Sequence, residues 1–235
     1  KIITDIDLIY LTKNFYKTIV VTGTNGKSTT CKIIAHLLKK NGYKTLLGGN
    51  IGTPILNLNV KKKHYLIIEA SSFQLSHSKF IKPDYALLLN ITHDHIDWHG
   101  SMKNYLESKF KIFRYQKRNQ FSLLNIKFKR HFKKRNFSGK LIFPSLKKYK
   151  KYKFKIKNSY LSSNINDENM SYIFSLSKLL KINEKSFLGS LNTFIGLPHR
   201  HEIFLKRKNC IFINDSKATT FQATKSALKN NKNIY

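Results

Sequence analysis

The stretch YKTIVVTGTNGKSTTCKII at residues 16–34 passes from an apolar run through a glycine loop into an apolar pattern with helical spacing. Residues 18–22 predict a buried strand, and residues 27–40 predict a helix. Gly23 and Gly26 let the backbone curl, so that N–H groups point inward as an anion nest beside the positive N-terminus of the helix. The order of strand, glycine loop and helix therefore predicts a phosphate site.

The side chains of this loop indicate a nucleotide rather than a simple anion. Lys27 can reach terminal phosphates, and Ser28 can place its hydroxyl on Mg²⁺. The full nucleotide-binding pattern has Gly five residues before Gly26, where this chain has Val21, so the loop is a variant. An ordinary glycine turn between a strand and a helix is the alternative. We assign nucleotide binding to Gly23, Thr24, Asn25, Gly26, Lys27, Ser28 and Thr29.

Strand and helix patterns alternate along most of the chain, with polar motifs where the strands end. This arrangement predicts an α/β fold with a doubly wound, mostly parallel sheet of P-loop type. Beyond the first helix, the patterns predict helices over 101–116, 167–181, 184–193 and 219–229 and strands near 202–206 and 210–213. The Lys-rich stretch 118–160 predicts irregular β structure or loops.

Two strand ends carry acidic or imidazole groups. Glu69 follows a buried apolar run, where its carboxylate can meet a cation held near Ser28; a solvated acid at the end of a strand is the alternative. One later loop contains His93, Asp94, His95 and Asp97. These side chains suit Mg²⁺, phosphate or general-base chemistry, whereas Zn²⁺ is less favoured because the cluster lacks Cys. A polar turn is the alternative for this loop.

Two basic residues are ambiguous from their patterns alone. Lys109 lies within a predicted helix, where the spacing of apolar residues indicates a solvated lysine. Arg200, in LPHRHE, can clamp a phosphate through two N–H groups or form a salt bridge at a domain hinge.

The net charge of +32 raises the question of a nucleic-acid partner. Lysines interleave with aromatic residues most densely at 127–157, as on a single-strand platform or on edge strands that hide their aromatic residues. Asn, Ile and Phe are also abundant, and their excess serves no phosphate contact, so biased composition explains the charge better. We therefore expect no nucleic-acid partner.

The rest of the composition indicates a cytoplasmic protein with no membrane insertion. No apolar run approaches the roughly 18 residues that would suggest a membrane span. Cys31 and Cys210 form no metal-binding or disulfide framework, which suits a reducing compartment. The chain begins at Lys1 with no signal-peptide pattern, so we expect it to start inside a longer polypeptide.

Seven motifs, taken in order, resemble those of the Mur ligase family. They are VTGTNGKSTT, GGNIGTP, EASSFQL, NITHDHIDWHG, YLESKFKIF, GLPHRHE and NDSKATT. The resemblance implies a central ATP-binding domain at 1–198 and the beginning of a C-terminal, Rossmann-like amino-acid-binding domain at 199–235. It also implies that the N-terminal UDP-binding domain is absent and that the enzyme is a monomer.

Within the family, SSFQL and NDSKAT resemble the ligases that join D-glutamate to UDP-N-acetylmuramoyl-L-alanine. The implied reaction belongs to peptidoglycan synthesis and uses ATP and Mg²⁺. ATP phosphorylates the alanyl carboxylate, and the amine of D-glutamate then attacks the acyl phosphate. A sister ligase that adds another amino acid, or a basic nucleic-acid-binding module, is the alternative. We expect residues 1–235 alone to be inactive.

The resemblance also implies roles for individual residues. Lys27, His95 and Lys109 take part in catalysis, with Lys109 matching a lysine that is carbamylated in the family. The metal ligands are Ser28, Glu69, His95 and, if carbamylated, Lys109. Asn166 contacts adenine, while Arg200 and Asp215 contact the phosphates and the ribose. Contacts on the substrate side come from Asn50, Ser71, Lys217 and Thr219.

Overall fold

The computed structural model describes residues 2–12, 17–208 and 210–218, together with residues 224, 225 and 228. The strands of the described residues are β1 (Lys17–Thr22), β2 (Thr45–Gly49), β3 (Tyr65–Glu69), β4 (Tyr85–Leu88), β5 (Phe121–Leu124), β6 (Lys140–Ile142), β7 (Glu202–Arg207) and β8 (Cys210–Asn214). The first six form one parallel sheet in the order β2-β3-β1-β4-β5-β6. All its strands therefore end at the same edge.

The helices lie between and beside these strands. They are α1 (Asp5–Thr12), α2 (Lys27–Lys40), α3 (Ser72–His77), α4 (Ile96–His99), α5 (Met102–Phe110), α6 (Lys129–Lys134), α7 (Leu146–Lys153), α8 (Ser159–Ser162), α9 (Asp167–Leu179) and α10 (Glu184–Asn192). Short 3₁₀ turns occur at Ile55–Asn57, Lys111–Phe113, Ile126–Phe128 and Asn164–Asn166. This architecture confirms the predicted doubly wound parallel sheet.

Helices cover both faces of the sheet, because successive side chains of a strand point to opposite faces. In β1, Ile19 and Val21 pack into a core shared with α2, α9 and α10. Val20 between them packs into a second core shared with α1, α3 and α5. A parallel strand buried on both faces reads as a continuous apolar run, which is why TIVV was recognisable from the sequence.

The prediction of irregular structure for residues 118–160 was wrong. This stretch adds β5 and β6 to the parallel sheet and forms α6 and α7. Phe128, Phe132 and Tyr149 point inward and are buried, while most of the neighbouring lysines are exposed. Elements of three to eight residues contain too few apolar residues to show the spacing of a strand or a helix, especially among so many lysines.

The other predicted elements are found with shifted ends. The predicted helix at 101–116 is α5 followed by a 3₁₀ turn, and the two later helices are α9 and α10. The strands predicted near 202–206 and 210–213 form the antiparallel hairpin of β7 and β8. The helix predicted at 219–229 falls mostly outside the described residues. Within the described part of the chain, no helix is both long and apolar enough to cross a membrane.

Candidate active site

The glycine loop links the end of β1 to the first turn of α2, at the edge where the parallel strands end. Gly26 is the residue before α2 and has a φ of 81°, a conformation that favours glycine. A Cβ atom at this position would come within 2.2 Å of the Asn169 side-chain oxygen. The loop therefore needs glycine at Gly26 for both backbone conformation and space.

Two backbone N–H groups of the loop are already engaged within the protein. The Thr24 N–H donates to the Asn90 carbonyl at 2.9 Å, and the Asn25 N–H donates to Asn90 Oδ1 at 2.8 Å. These two N–H groups are therefore hydrogen-bonded within the protein, in contrast to the inward-pointing N–H groups that the sequence predicted for the loop. The first turn of α2 supplies the N–H groups that an anion can use.

Two lysine ammonium groups converge on one carbonyl oxygen of this loop. Lys27 Nζ donates to the Gly23 carbonyl at 3.1 Å and to the Thr24 carbonyl at 2.8 Å. Lys109 Nζ reaches the same Gly23 carbonyl at 2.8 Å and lies over the Tyr105 ring, 4.6 Å from its centroid. Burial lowers the pKa of Lys27, and burial together with Lys27 lowers that of Lys109 well below its usual value.

The position of Lys109 corrects the helical-pattern interpretation, which placed it in solvent. Its side chain is 1% exposed because α5 packs its last turn against the glycine loop. The pattern failed because the residue is long enough to carry its charge from the helix to a carbonyl oxygen of another element.

Glu69 is the last residue of β3 and lies beside Val21 of β1, one strand away from the glycine loop. Its side chain is buried, and Oε1 accepts a hydrogen bond from Asn50 Nδ2 at 3.2 Å. Its other oxygen, Oε2, is buried and has no hydrogen-bond partner among the residues that the structure describes. Nearby, Arg200 Nη2 donates to Ser28 Oγ at 3.3 Å.

The loop that follows β4 carries His95 and is hydrogen-bonded to the glycine loop. The Thr92 N–H donates to Thr24 Oγ1 at 3.0 Å, and the Tyr105 hydroxyl lies 2.9 Å from the same oxygen. The His95 ring lies 6.4 Å from the Tyr105 ring, and its Nε2 is 3.3 Å from Asp94 Oδ2. Tyr105 thus connects the surroundings of Lys109 with those of His95.

The described residues contain no group of three or more His, Cys, Asp and Glu side chains arranged to hold a metal. The four-residue cluster predicted from His93 to Asp97 does not form such a group. The metal ligands predicted from the family resemblance are not a group of this type, because they include the Ser28 hydroxyl and a modified Lys109 besides Glu69 and His95.

A cleft of about 340 Å³ opens beside the glycine loop. Its lining includes Asn25, Gly26, Thr29, Asn90, Thr92, Lys127, Tyr160, Ile165, Asn166, Glu168, Asn169, Arg200, His201 and Asp215. Asn166 Nδ2 donates to the Tyr160 carbonyl at 2.8 Å, and Asp215 Oδ1 accepts the His201 N–H at 2.9 Å. The structure therefore brings Asn166, Arg200 and Asp215 together with the glycine loop, although they are distant in sequence.

The residues predicted on the substrate side are less closely gathered. Asn50 is joined to Glu69, whereas the Ser71 hydroxyl caps α3 by accepting the Gln74 N–H at 3.2 Å. The Lys217 N–H donates to the His199 carbonyl at 3.1 Å. Thr219 lies outside the described residues.

Three residues of this region are not predicted by the sequence patterns. Asn90 holds the glycine loop, Tyr105 joins it to α5, and Asn169 packs against Gly26. Asn90 had the same signal as Glu69, a polar residue directly after a buried apolar run. Tyr105 and Asn169 lie within helices, where nothing in the pattern distinguishes them from other half-polar residues.

Comparison with solved structures defines the class of fold. MurF from Acinetobacter baumannii superposes with a TM-score of 0.70 at 18% identity, covering 92% of this chain and 55% of that one. MurF ligase from Thermotoga maritima, in complex with ADP, gives 0.67 at 18% identity, covering 96% of this chain and 59% of that one. At this identity the similarity establishes the fold alone.

Sequence comparison gives the family. The family model described as Mur ligase middle domain matches residues 21–192. UDP-N-acetylmuramoylalanine–D-glutamate ligase from Rickettsia felis is 34% identical, covering 100% of this chain and 56% of the relative. The ligase of the same name from Wolbachia sp. subsp. Brugia malayi is 36% identical, with coverage of 100% and 59%. The chain belongs to the Mur ligase family, and it spans a little over half the length of these relatives.

Proposed function

We propose that this chain is the ATP-binding part of a ligase that joins D-glutamate to UDP-N-acetylmuramoyl-L-alanine in peptidoglycan synthesis. The names of relatives that match this chain over its whole length support this substrate pair. The observation that carries the chemistry is the convergence of Lys27 and Lys109 on the Gly23 carbonyl, with Glu69 at the end of the adjacent strand, beside a cleft lined by Asn166 and Asp215.

Phosphoryl transfer to a carboxylate brings several negative charges together, and its catalysis depends mainly on positioning and on neutralising those charges. Lys27 Nζ now rests on carbonyl oxygens of the loop, from which it can turn to a phosphate. Arg200 adds a second cation at Ser28, on the first turn of α2. We assign the adenine to Asn166 and the ribose to Asp215, in the cleft that both residues line.

The residues of the site also suit Mg²⁺. Glu69 Oε2 is a buried carboxylate oxygen without a partner, and carboxylate oxygens are preferred magnesium ligands. Ser28 and Glu69 would hold one ion, and His95 and a carbamylated Lys109 would support a second. Bound Mg²⁺ would neutralise phosphate charge. The low pKa that burial imposes on Lys109 favours the neutral amine, which is the form that reacts with carbon dioxide.

The proposed reaction has two steps. An oxygen of the alanyl carboxylate attacks the γ-phosphorus of ATP, and ADP leaves. The amine of D-glutamate attacks the carbonyl carbon of the acyl phosphate, phosphate leaves, and the amine loses a proton. Asn50, Ser71, Lys217 and Thr219 are assigned to the substrate side, and the catalytic groups to Lys27, His95 and Lys109.

The domain assignment is part of the same proposal. Residues 1–198 form the ATP-binding domain, and residues 199–235 begin the amino-acid-binding domain of a cytoplasmic, monomeric enzyme. The proposal places the determinants of ligation beyond the ATP site, so residues 1–235 alone should bind ATP without ligating the two substrates.

The test is the amino-acid dependence of phosphate release by the full gene product that contains these residues. With ATP, Mg²⁺ and UDP-N-acetylmuramoyl-L-alanine, phosphate should appear only when D-glutamate is added, and not with L-alanine, L-lysine or meso-diaminopimelate. Release with another amino acid and its matching nucleotide substrate would identify a sister ligase. Absence of release with every pair would overturn the proposal.

A further inference from the structure

Asn90 joins the glycine loop through both its backbone and its side chain. Its carbonyl accepts the Thr24 N–H at 2.9 Å, and its Oδ1 accepts the Asn25 N–H at 2.8 Å. Its Nδ2 donates back to the Asn25 carbonyl at 3.2 Å. The side-chain amide therefore pairs with the N–H and the carbonyl of one loop residue, Asn25, as a residue of a neighbouring strand would.

The packing at this junction leaves little freedom. A Cβ atom on Gly23 would lie 3.1 Å from the Leu89 Cβ and 3.2 Å from the Asn90 nitrogen. The loop after β1 and the loop after β4 thus approach as closely as glycine permits. Asn90 fixes which side of the glycine loop faces the strand and which side faces the cleft.

Asn90 also contacts two other parts of the site. It begins the loop that carries Thr92, whose N–H donates to Thr24 Oγ1, and His95. Its Nδ2 lies 3.4 Å from Glu168 Oε2, on the α9 wall of the cleft. A displacement of the glycine loop would therefore be transmitted to the His95 loop and to that wall.

We infer that Asn90 is a positioning residue, which holds the glycine loop in the conformation that receives phosphate and keeps it in register with the His95 loop. This inference rests on the proposed function. Asn90 acts through the loop peptides rather than on the reacting atoms. An asparagine is suited to this position because one side chain must both accept from the Asn25 N–H and donate to the Asn25 carbonyl.

The experiment compares Asn90→Ala with a matched variant, Asn41→Ala, in the full gene product. Asn41 Nδ2 also makes two hydrogen bonds, to the Leu37 carbonyl at 2.8 Å and to Ser190 Oγ at 3.1 Å, but at the far end of α2. Both variants should lose similar thermal stability. Only Asn90→Ala should raise the KM for ATP and lower kcat, each by about 10-fold, because small displacements of bound groups are costly.

A conservative variant separates positioning from bulk. Asn90→Asp keeps the size of the side chain and the acceptor for the Asn25 N–H, but it loses the donor to the Asn25 carbonyl and sets a carboxylate oxygen against that carbonyl. It should therefore lower kcat/KM for ATP at least as much as Asn90→Ala does. Asn90→Asp with the kcat/KM of the wild type would overturn the inference.

The remaining outcomes distinguish this inference from the function on which it rests. If the wild-type protein neither binds ATP nor releases phosphate, the proposed function fails. If the wild-type protein is active and Asn90→Ala has the same KM for ATP and kcat as Asn41→Ala, the proposed function stands and the role of Asn90 is refuted.

Discussion

Two buried carboxylates, Asp7 on α1 and Glu69 on β3, have almost the same exposure and very different surroundings. Asp7 accepts hydrogen bonds from the Ser78 hydroxyl at 2.7 Å, the Phe80 N–H at 2.8 Å and the Lys79 N–H at 2.9 Å. Glu69 accepts one, from Asn50, and keeps Oε2 without a partner. Both oxygens of Asp7 accept hydrogen bonds, whereas one oxygen of Glu69 is still available as an acceptor.

The difference supports the proposal that Glu69 binds a ligand, whereas Asp7 stabilises the fold. Removing a carboxylate from water is costly unless hydrogen bonds replace its hydration. Burial alone would raise the pKa of Asp7, but hydrogen bonds from Ser78, Phe80 and Lys79 lower it below its usual value. These bonds attach α1 to the loop that follows α3. Glu69 keeps one buried oxygen without a hydrogen-bond partner among the described residues, as expected of a carboxylate that binds a ligand.

Lys27→Ala should have the largest effect, a loss of about 1,000-fold in kcat for phosphate release, because it removes a cation positioned for the phosphates. The folded state should be kept, since Lys27 Nζ bonds only to carbonyls of its own loop. Steady-state kinetics and circular dichroism check both expectations. Activity like that of the wild type would show that Lys27 does not neutralise the phosphates.

Asp7→Ala should lower the free energy of unfolding by about 3 kcal/mol, because four N–H or O–H donors lose a charged acceptor. Denaturant unfolding measures the change. Since the pKa of Asp7 is lowered on folding, its contribution is complete above the unfolded value near 3.9 and is lost as the pH falls through the folded value. A loss below about 0.5 kcal/mol would mean that the hydrogen bonds to Asp7 do not stabilise the fold.

Lys109→Met should raise the free energy of unfolding by about 1 kcal/mol while abolishing activity, because the native state buries an amine that is protonated in the unfolded chain. Burial and the neighbouring Lys27 lower the pKa of Lys109, so the native state releases its proton before the unfolded state does. The stability gap between the variant and the wild type should therefore narrow as the pH rises toward about 10. A destabilised variant at pH 7 would contradict this.

Lys17→Ala should have the smallest effect, about 0.5 kcal/mol, because its 3.1 Å ion pair with Asp84 is partly solvated. Asp84 also keeps the Thr18 N–H at 2.9 Å as a donor. Thermal unfolding in low and high salt measures the contribution, which should shrink with salt. A loss as large as that of Asp7→Ala would show that the number of N–H donors to a carboxylate does not determine its contribution to the free energy of unfolding.

The sequence predicted the elements whose signals are local. The apolar run of β1, the glycine pair and the helical spacing of Ile33, Ile34 and Leu37 all lie within 25 residues. Parallel strands then bring their ends together as a consequence of topology, so Glu69 could be placed at the same edge of the sheet as the glycine loop without coordinates.

The sequence failed where a contact depends on elements far apart in the chain. Lys109 is buried because α5 packs against a loop 86 residues earlier, which the spacing within its helix does not encode. Asp7 is saturated by residues more than 70 positions away. The short, lysine-rich elements around Phe132 and Tyr149 give too few residues for a period to be visible.

The most direct test of the account is ATP binding to the full gene product with and without Mg²⁺, in the wild type and in Glu69→Gln. If Oε2 is reserved for a metal–nucleotide complex, Mg²⁺ should tighten ATP binding by at least about 10-fold in the wild type, equivalent to about 1.4 kcal/mol. In Glu69→Gln, calorimetry should give the same ATP affinity in Mg²⁺ as in EDTA. An unchanged response to Mg²⁺ in that variant would contradict the central claim.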